Sequence, residues 1–360
     1  MTAAAAPARA IGSARVVARP RTLGVGWIGA GVVAVVGAAI VGASVGPVGI
    51  SPWRTFLEVL DRMPLIDIDS GLDAREAAIV WELRLPRVAL GLLVGAMLSI
   101  AGASYQGVFR NPLVDPYLLG AAAGAGLGVT LVIVSGFSRS SSFLDPVPIA
   151  AFAGASGAVA IAYAVGGAGG RSVAALVLAG VAVTSFLTAA QTYVQQRESE
   201  TIREVYSWIL GRLTTAGWRD VVLVLPYFAL STGVLLVHRR ALDVLAVGDA
   251  EATSLGLHAS RVRLTVVVAA TLATAAAVSM SGLIGFVGII VPHTVRLLAG
   301  TSFRVILPLS LLFGAAFLAG ADVFARTVIA PAELPVGVVT AFFGAPFFVL
   351  VLRSARGARA

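Results

Sequence analysis

Nine stretches of this chain run for 17 residues or more without an Asp, a Glu or an Arg: residues 22–53, 88–109, 116–138, 146–170, 172–196, 221–238, 264–295, 305–321 and 334–352. Hydrocarbon about 30 Å thick takes about 20 apolar residues of α-helix at 1.5 Å per residue, so each stretch reads as a membrane span. Two are too long for one. The first is cut short by Gly46, Pro47, Gly49 and Pro52, which leaves a helix of roughly 23–46. The stretch 264–295 would measure about 48 Å as a single helix and is interrupted by Ser279-Met280-Ser281-Gly282, which divides it into two. Ten membrane helices result, and the expected fold class is an all-α integral membrane protein.

Charge tests that count. With ten spans and an inner N-terminus, the inner segments hold 15 of the 26 arginines but only four of the 18 acidic residues, as the basic bias of cytoplasmic loops requires. Nine spans would put the C-terminal RSARGAR on the wrong side. Only 12% of the residues are charged, about half the share in a water-soluble domain. The net charge of +8 sits in short clusters beside apolar runs, so membrane orientation explains it and nucleic acid is not an expected partner. Residues 1–22 read as a basic cytoplasmic tail, because the apolar segment after them exceeds the roughly 7–15 residues of a signal-peptide core. Residues 23–353 form one membrane domain, and 354–360 a second basic tail.

Several chemistries are excluded by what the chain lacks. Every one of the 26 basic residues other than histidine is an arginine, so there is no phosphate-loop lysine to reach a terminal phosphate, and the chain cannot be its own P-loop ATPase. Without cysteine there is neither a disulfide nor a zinc-thiolate site. His238, His258 and His293 lack ligand spacing, and no metal site is expected. A proton-coupled carrier is the alternative of another class, and it needs acids inside the membrane. Asp322 is the one acid close to hydrocarbon, and with no relay partner on other spans it is read as an interfacial pairing group near Arg326.

Three stretches go beyond generic helix packing: WELRLPRVALGLLVGAMLSIAGASYQGVFRNPLVDPYLLGAAAGAGLG (81–128), SGLIGFVGIIVPHTVRLL (281–298) and AELPVGVVTAFFGAPFFVLVL (332–352). In these the chain strongly resembles the FecCD family of permeases from ATP-binding-cassette (ABC) importers of iron-siderophore complexes, haem or vitamin B12. The resemblance extends over nearly the whole chain except residues 1–22. It implies a ten-helix, type II importer subunit in the cytoplasmic membrane that pairs with a second permease subunit. It also implies separate ATPase subunits, which use ATP and Mg, on the cytoplasmic side and a substrate-binding protein on the other. No cofactor is expected on this chain, and a ferric siderophore is the first-choice cargo, with vitamin B12 and haem as alternatives.

The resemblance also implies roles for particular residues. Arg84, Arg87 and Arg326 match arginines that face carboxylates of the binding protein, work suited to a planar guanidinium fork. On the residues alone, Arg84 and Arg87 equally suit snorkelling to the interface. Asn111, Pro112 and Leu113 in FRNPLVDP match one cytoplasmic gate, and Ser172, Val173 and Ala174 in GGRSVAA are placed as its counterpart. GDAEATSLGLHASRVR (248–263) is a long polar interval between two apolar runs of the second half. It is expected as two short helical pieces around Leu255-Gly256-Leu257, started by Asp249 and ended by Gly256. It matches the coupling helices that the ATPase moves, which assigns Gly248, Asp249, Ala250, Glu251, Ala252, Leu255, Gly256 and Leu257 to that contact.

Overall fold

Each apolar stretch forms a helix, 264–295 forming two, and five shorter helices join them among the described residues. The computed structural model describes residues 23–46, 48–62, 68–137, 145–168, 173–211, 213–214 and 216–357. In chain order its helices are α1 (Val25–Ser44), α2 (Pro52–Asp61), α3 (Ala74–Ala78), α4 (Leu85–Phe109), α5 (Ala121–Val134), α6 (Pro146–Ala168), α7 (Val173–Arg197), α8 (Ile202–Ile209), α9 (Trp218–Val237), α10 (Arg239–Val247), α11 (Asp249–Ser254), α12 (Ala259–Ser281), α13 (Val287–Leu298), α14 (Phe303–Thr327) and α15 (Val336–Gly357). Among the described residues seven helices are long and apolar enough to cross a membrane. The three shorter apolar helices are Ala121–Val134, Val287–Leu298 and Val336–Val349. Together they account for the ten expected spans, and the chain is an all-helical, multi-pass membrane protein. The expected N-terminal tail 1–22 lies outside the described residues; of the expected C-terminal tail 354–360, residues 354–357 continue α15 and 358–360 lie outside the described residues.

The second span is longer than its apolar stretch. A reciprocal capping box between Asp73 and Glu76 starts a helix well before residue 88, and α3 continues through a π-helical turn at Ile79–Arg84 into α4. Pro86 brings no N–H to the ladder, and the wider π turn just before it absorbs the mismatch. The resulting helix, Ala74–Phe109, is the hub of the bundle. It is buried along most of its length and packs against α9, α12, α13 and α14.

Lipid offers apolar helices no hydrophobic reason to associate, so close van der Waals approach has to supply it. A Cβ on Gly102 would lie 2.1 Å from the carbonyl oxygen of Gly288, which is how α4 and α13 come into backbone contact. Gly124 of α5 and Gly154 of α6 stand in the same relation to each other, also at 2.1 Å. The predicted break in 264–295 falls where expected: α12 stops at Ser281, Gly282 turns with φ 70° and Phe286 with φ 69°, and α13 follows. Non-helical backbone within a membrane needs partners from the protein. Tyr117 provides them, its hydroxyl accepting from the Ile284 N–H at 3.2 Å and donating to the Ile284 carbonyl at 2.9 Å. Gln106 Nε2 donates to the carbonyls of Gly288 at 3.0 Å and Val114 at 3.2 Å, tying the break to the loop after α4.

Candidate functional site

Charged side chains gather at the two opposite ends of α4. At its C-terminal end Arg110 adopts φ 51°, and Pro112 forbids a further helical turn. The chain then folds back on itself through two Asx turns, Asn111 Oδ1 accepting from the Leu113 N–H at 3.0 Å and Asp115 Oδ1 from the Tyr117 N–H at 2.8 Å. Asn111 and Pro112 are exposed and Leu113 is half-buried. Arg110 reaches out of this loop. Its Nε donates to the Leu245 carbonyl of α10 at 2.8 Å, and its Nη2 pairs with Asp249 at the start of α11.

The same Asp249 carboxylate accepts from Arg263 Nη2 of α12 at 2.9 and 3.0 Å, and Arg263 is only 5% exposed. Asp249 is thereby held below the usual carboxylate range, first by the Arg263 hydrogen bonds and then by the charges of Arg263 and Arg110. A depressed acid keeps its contribution at every pH above its unfolded value of about 4 and loses it only as pH falls through the lowered one. A second acid completes the attachment. Asp243 of α10 accepts from Ser302 Oγ at 2.7 Å and from the Phe303 N–H at 2.6 Å, capping the first turn of α14. The α10–α11 unit is thus fixed by side chains to the end of α4 and to the starts of α12 and α14.

The stretch 248–263 differs from the expected pair of short helices. Its first piece is α11, closed by Gly256 at φ 78° as expected. The second piece is not separate, because Ala259 to Arg263 are the opening turns of the long α12 and nothing between them and the apolar run from Leu264 breaks the helix. The companion short helix is α10, upstream. Gly248, rather than Asp249, takes the N-cap position, and the Asp249 carboxylate goes to the arginines. Ala252 is buried, Ala250 and Glu251 are exposed, Leu257 is half-buried, and Leu255 stands out at 71% exposure. Val173 and Ala174 open α7 at this same end, where Gly180 packs so closely that a Cβ on it would lie 2.4 Å from the Leu118 carbonyl oxygen. Ser172 lies outside the described residues.

The model of the FecCD transport family matches residues 32–354. The chain belongs to the FecCD transport family. The cobalamin import system permease protein BtuC of Halobacterium salinarum is 42% identical over 284 residues, 79% of this chain and 75% of that protein. The Fe(3+)-citrate import system permease protein YfmD of Bacillus subtilis is 38% identical over 303 residues, 83% of this chain and 88% of that protein. A solved structure described as an inward-facing conformation of a metal-chelate type ABC transporter superposes with a TM-score of 0.78 at 28% identity, covering 91% of this chain and 98% of the other.

At the other end of α4 this FecCD-family chain brings its three singled-out arginines together. Arg87 is the centre, its Nη2 2.8 Å from Asp322 Oδ1 and 2.9 Å from Glu333 Oε2. Arg326 lies one turn from Asp322 on α14, 3.5 Å from it, and its Nη2 donates to the Gly42 carbonyl at 2.7 Å. Arg84 donates to the carbonyls of Ala43 at 3.1 Å, Ser44 at 2.6 Å, and Val48. The last carbonyls of a helix have no partner within it and carry its negative pole. Arg84 and Arg326 answer both needs at the end of α1 and join it to α4 and α14. The pairing expected of Asp322 is present, with Arg87 as its closer partner. Arg84 and Arg326 are 5% and 3% exposed, while the Glu333 side chain, at 28%, opens this cluster to solvent.

Sequence reasoning did not single out Arg110, Asp243, Arg263 or Glu333. Arg110 and Asp243 find their partners on elements remote in sequence, and Arg263 meets Asp249 14 residues before it through the fold of α11 onto α12. Glu333 sits in AELPVG with no spacing to connect it to Arg87. His293 is half-buried in α13, its ring edge-on to Phe347 at 5.9 Å. No group of three or more His, Cys, Asp or Glu that could hold a metal ion occurs among the described residues.

Proposed function

We propose that this chain is the permease subunit of an ATP-driven importer of metal chelates in the cytoplasmic membrane, with both termini and the α10–α11 unit in the cytoplasm. Two copies, or this chain and a related one, enclose the path. ATPase subunits seat on α11, and a substrate-binding protein docks at the opposite end. The cargo is a ferric siderophore, with vitamin B12 or haem as the alternative within the same type of permease.

The observation that carries this reading is the Arg110–Asp249–Arg263 cluster. A partner that pushes on α11 moves Asp249, and Asp249 is bound to the residue immediately before Asn111, Pro112 and Leu113. In this reading those three residues gate the path, facing Ser172, Val173 and Ala174, and the ion pairs carry the displacement from α11 to the gate. Arg110→Ala, which lies outside α11 and leaves the Asp249–Arg263 pair in place, should leave the ATPase bound and hydrolysing while uptake falls at least tenfold, and Arg110→Lys should restore part of the uptake by keeping the charge. Uptake that is unaffected by Arg110→Ala would remove the cluster from the transport cycle.

At the opposite end, the three arginines outnumber Asp322 and Glu333, which suits a carboxylate-bearing partner. Of the three, Arg87 shares its fork with the most exposed acid, so we assign the docking contact to Arg87, with Arg84 and Arg326 supporting it from below. Charge reversal at Arg87 would strand Asp322 and confound the test. Glu333→Gln instead removes the internal competitor: the binding protein should bind severalfold more tightly, with a steeper loss of affinity as salt rises. Affinity and salt dependence identical to wild type would return Arg84 and Arg326 to holding α1 and Arg87 to pairing Asp322 and Glu333.

A further inference from the structure

The short helix α2 buries polar side chains and leaves a tryptophan exposed. A surface helix ordinarily buries its apolar stripe and shows its polar one to solvent. In PWRTFLEVLD the positions 53, 56, 57 and 60 fall on one face and hold Trp, Phe, Leu and Leu, while Thr55, Glu58 and Arg62 fall on the other. Thr55 and Glu58 of the polar face meet the protein while Arg62 is exposed, and on the apolar face Phe56, Leu57 and Leu60 are half-buried and Trp53 is exposed. Thr55 is 1% exposed and Glu58 6%. Glu58 accepts from Ser70 Oγ at 2.6 Å and from Trp81 Nε1 at 3.1 Å, so it ties α2 to the segment before α3 and to the π turn. Trp53, on the apolar face, is 65% exposed.

That outward face is continuous with α1. The rings of Trp53 and Phe56 lie tilted with centroids 5.8 Å apart, and with Pro52 they line a shallow groove closed by Ile40 of α1. Of the seven long apolar helices α1 is the least buried, and its exposed residues include Val32, Val33, Val36 and Val41. A span that bare is lipid-facing, so the surface running from it onto Trp53 and Phe56 faces lipid as well.

We infer that α2 is an in-plane membrane helix: its apolar face rests at the boundary of acyl chains and headgroups, and Trp53 is its interfacial anchor. Tryptophan is suited to that level because its ring is apolar and its N–H polar. The occupant of the groove is lipid, and the helix fixes the depth of the corner where Arg84 holds the end of α1.

The absence of native cysteine makes the test direct. Trp53→Cys, with Phe56→Cys as a second site in case the first disturbs folding, is labelled with a nitroxide in the full-length protein. Ser254→Cys, exposed on α11, is the reference for water. In vesicles of phosphatidylethanolamine and phosphatidylglycerol, collisions with oxygen should exceed those with a water-soluble nickel chelate severalfold at 53 and 56, and the order should reverse at 254. Three results would overturn the inference: stronger collision with the nickel chelate at 53 and 56, weak collision with both agents there, as under a second protein copy, or loss of nickel access only when the binding protein is added.

Discussion

Replacing Leu255 by Asp is expected to leave the protein folded and to abolish ATP-driven uptake. Leu255 is 71% exposed at the end of α11, so the substitution removes no core contact and the fold should be indifferent to it. In the proposed complex the same side chain enters a cleft on the ATPase, and a carboxylate buried there without a partner loses its hydration for nothing in return. A central apolar anchor of this kind is worth about 2 kcal/mol or more, which is roughly a 30-fold loss of affinity. Thermal unfolding of the detergent-solubilised variant should match wild type, while co-purification with the ATPase and uptake both fail. Leu257→Asp is the contrast: Leu257 packs against the core, so that variant should lose stability as well. Normal assembly and wild-type uptake with Asp at 255 would make α11 an ordinary loop helix.

The largest effect on stability is expected from Arg87→Met. Asp322 is 2% exposed and Arg87 is its nearest cation. Removing one partner of a buried ion pair typically costs about 3–5 kcal/mol, because the other charge stays buried and uncompensated. Arg326 remains at 3.5 Å, which argues for the lower end of that range, about 3 kcal/mol. Adding Asp322→Leu should recover part of the loss, since the buried carboxylate is then gone, Glu333 is open to solvent and Arg326 keeps the Gly42 carbonyl. Denaturation of the two variants and of wild type in the same detergent gives the comparison. A double variant no more stable than Arg87→Met would show that the ion pair is not where the energy lies.

How much of this was legible in the sequence depends on how local the signal is. Spans are set by runs of apolar residues, so all ten helices, and the break at Ser281 and Gly282, could be read directly. The end of α11 was legible for the same reason, because a glycine at positive φ closes a helix wherever it occurs. The start of the second span was misplaced because charge marked the end of the apolar run, whereas the helix itself begins at the Asp73–Glu76 capping box and passes through Arg84 and Arg87. α2 went unread although its pattern is present, since Gly49 and Pro52 drew attention to the end of the first span and away from the ten residues that follow. Of the networks at the two ends of α4, only the pairing of Asp322 with Arg326, one turn apart on α14, was legible. Arg87 meets Asp322 and Glu333, and Arg110 meets Asp249, only because α4 crosses α14 and α12 in space, and one sequence carries no trace of that pairing.

The most direct measurement for the central claim is accumulation of labelled chelate in proteoliposomes that contain this chain, its ATPase and its binding protein. Ferric citrate, a ferric hydroxamate, haemin and cobalamin would each be offered in turn. The account predicts that one of these accumulates inside only when ATP and all three components are present, and that this chain alone hydrolyses no ATP. Accumulation driven by a proton gradient with the ATPase left out would contradict it, as would ATP hydrolysis by the purified chain.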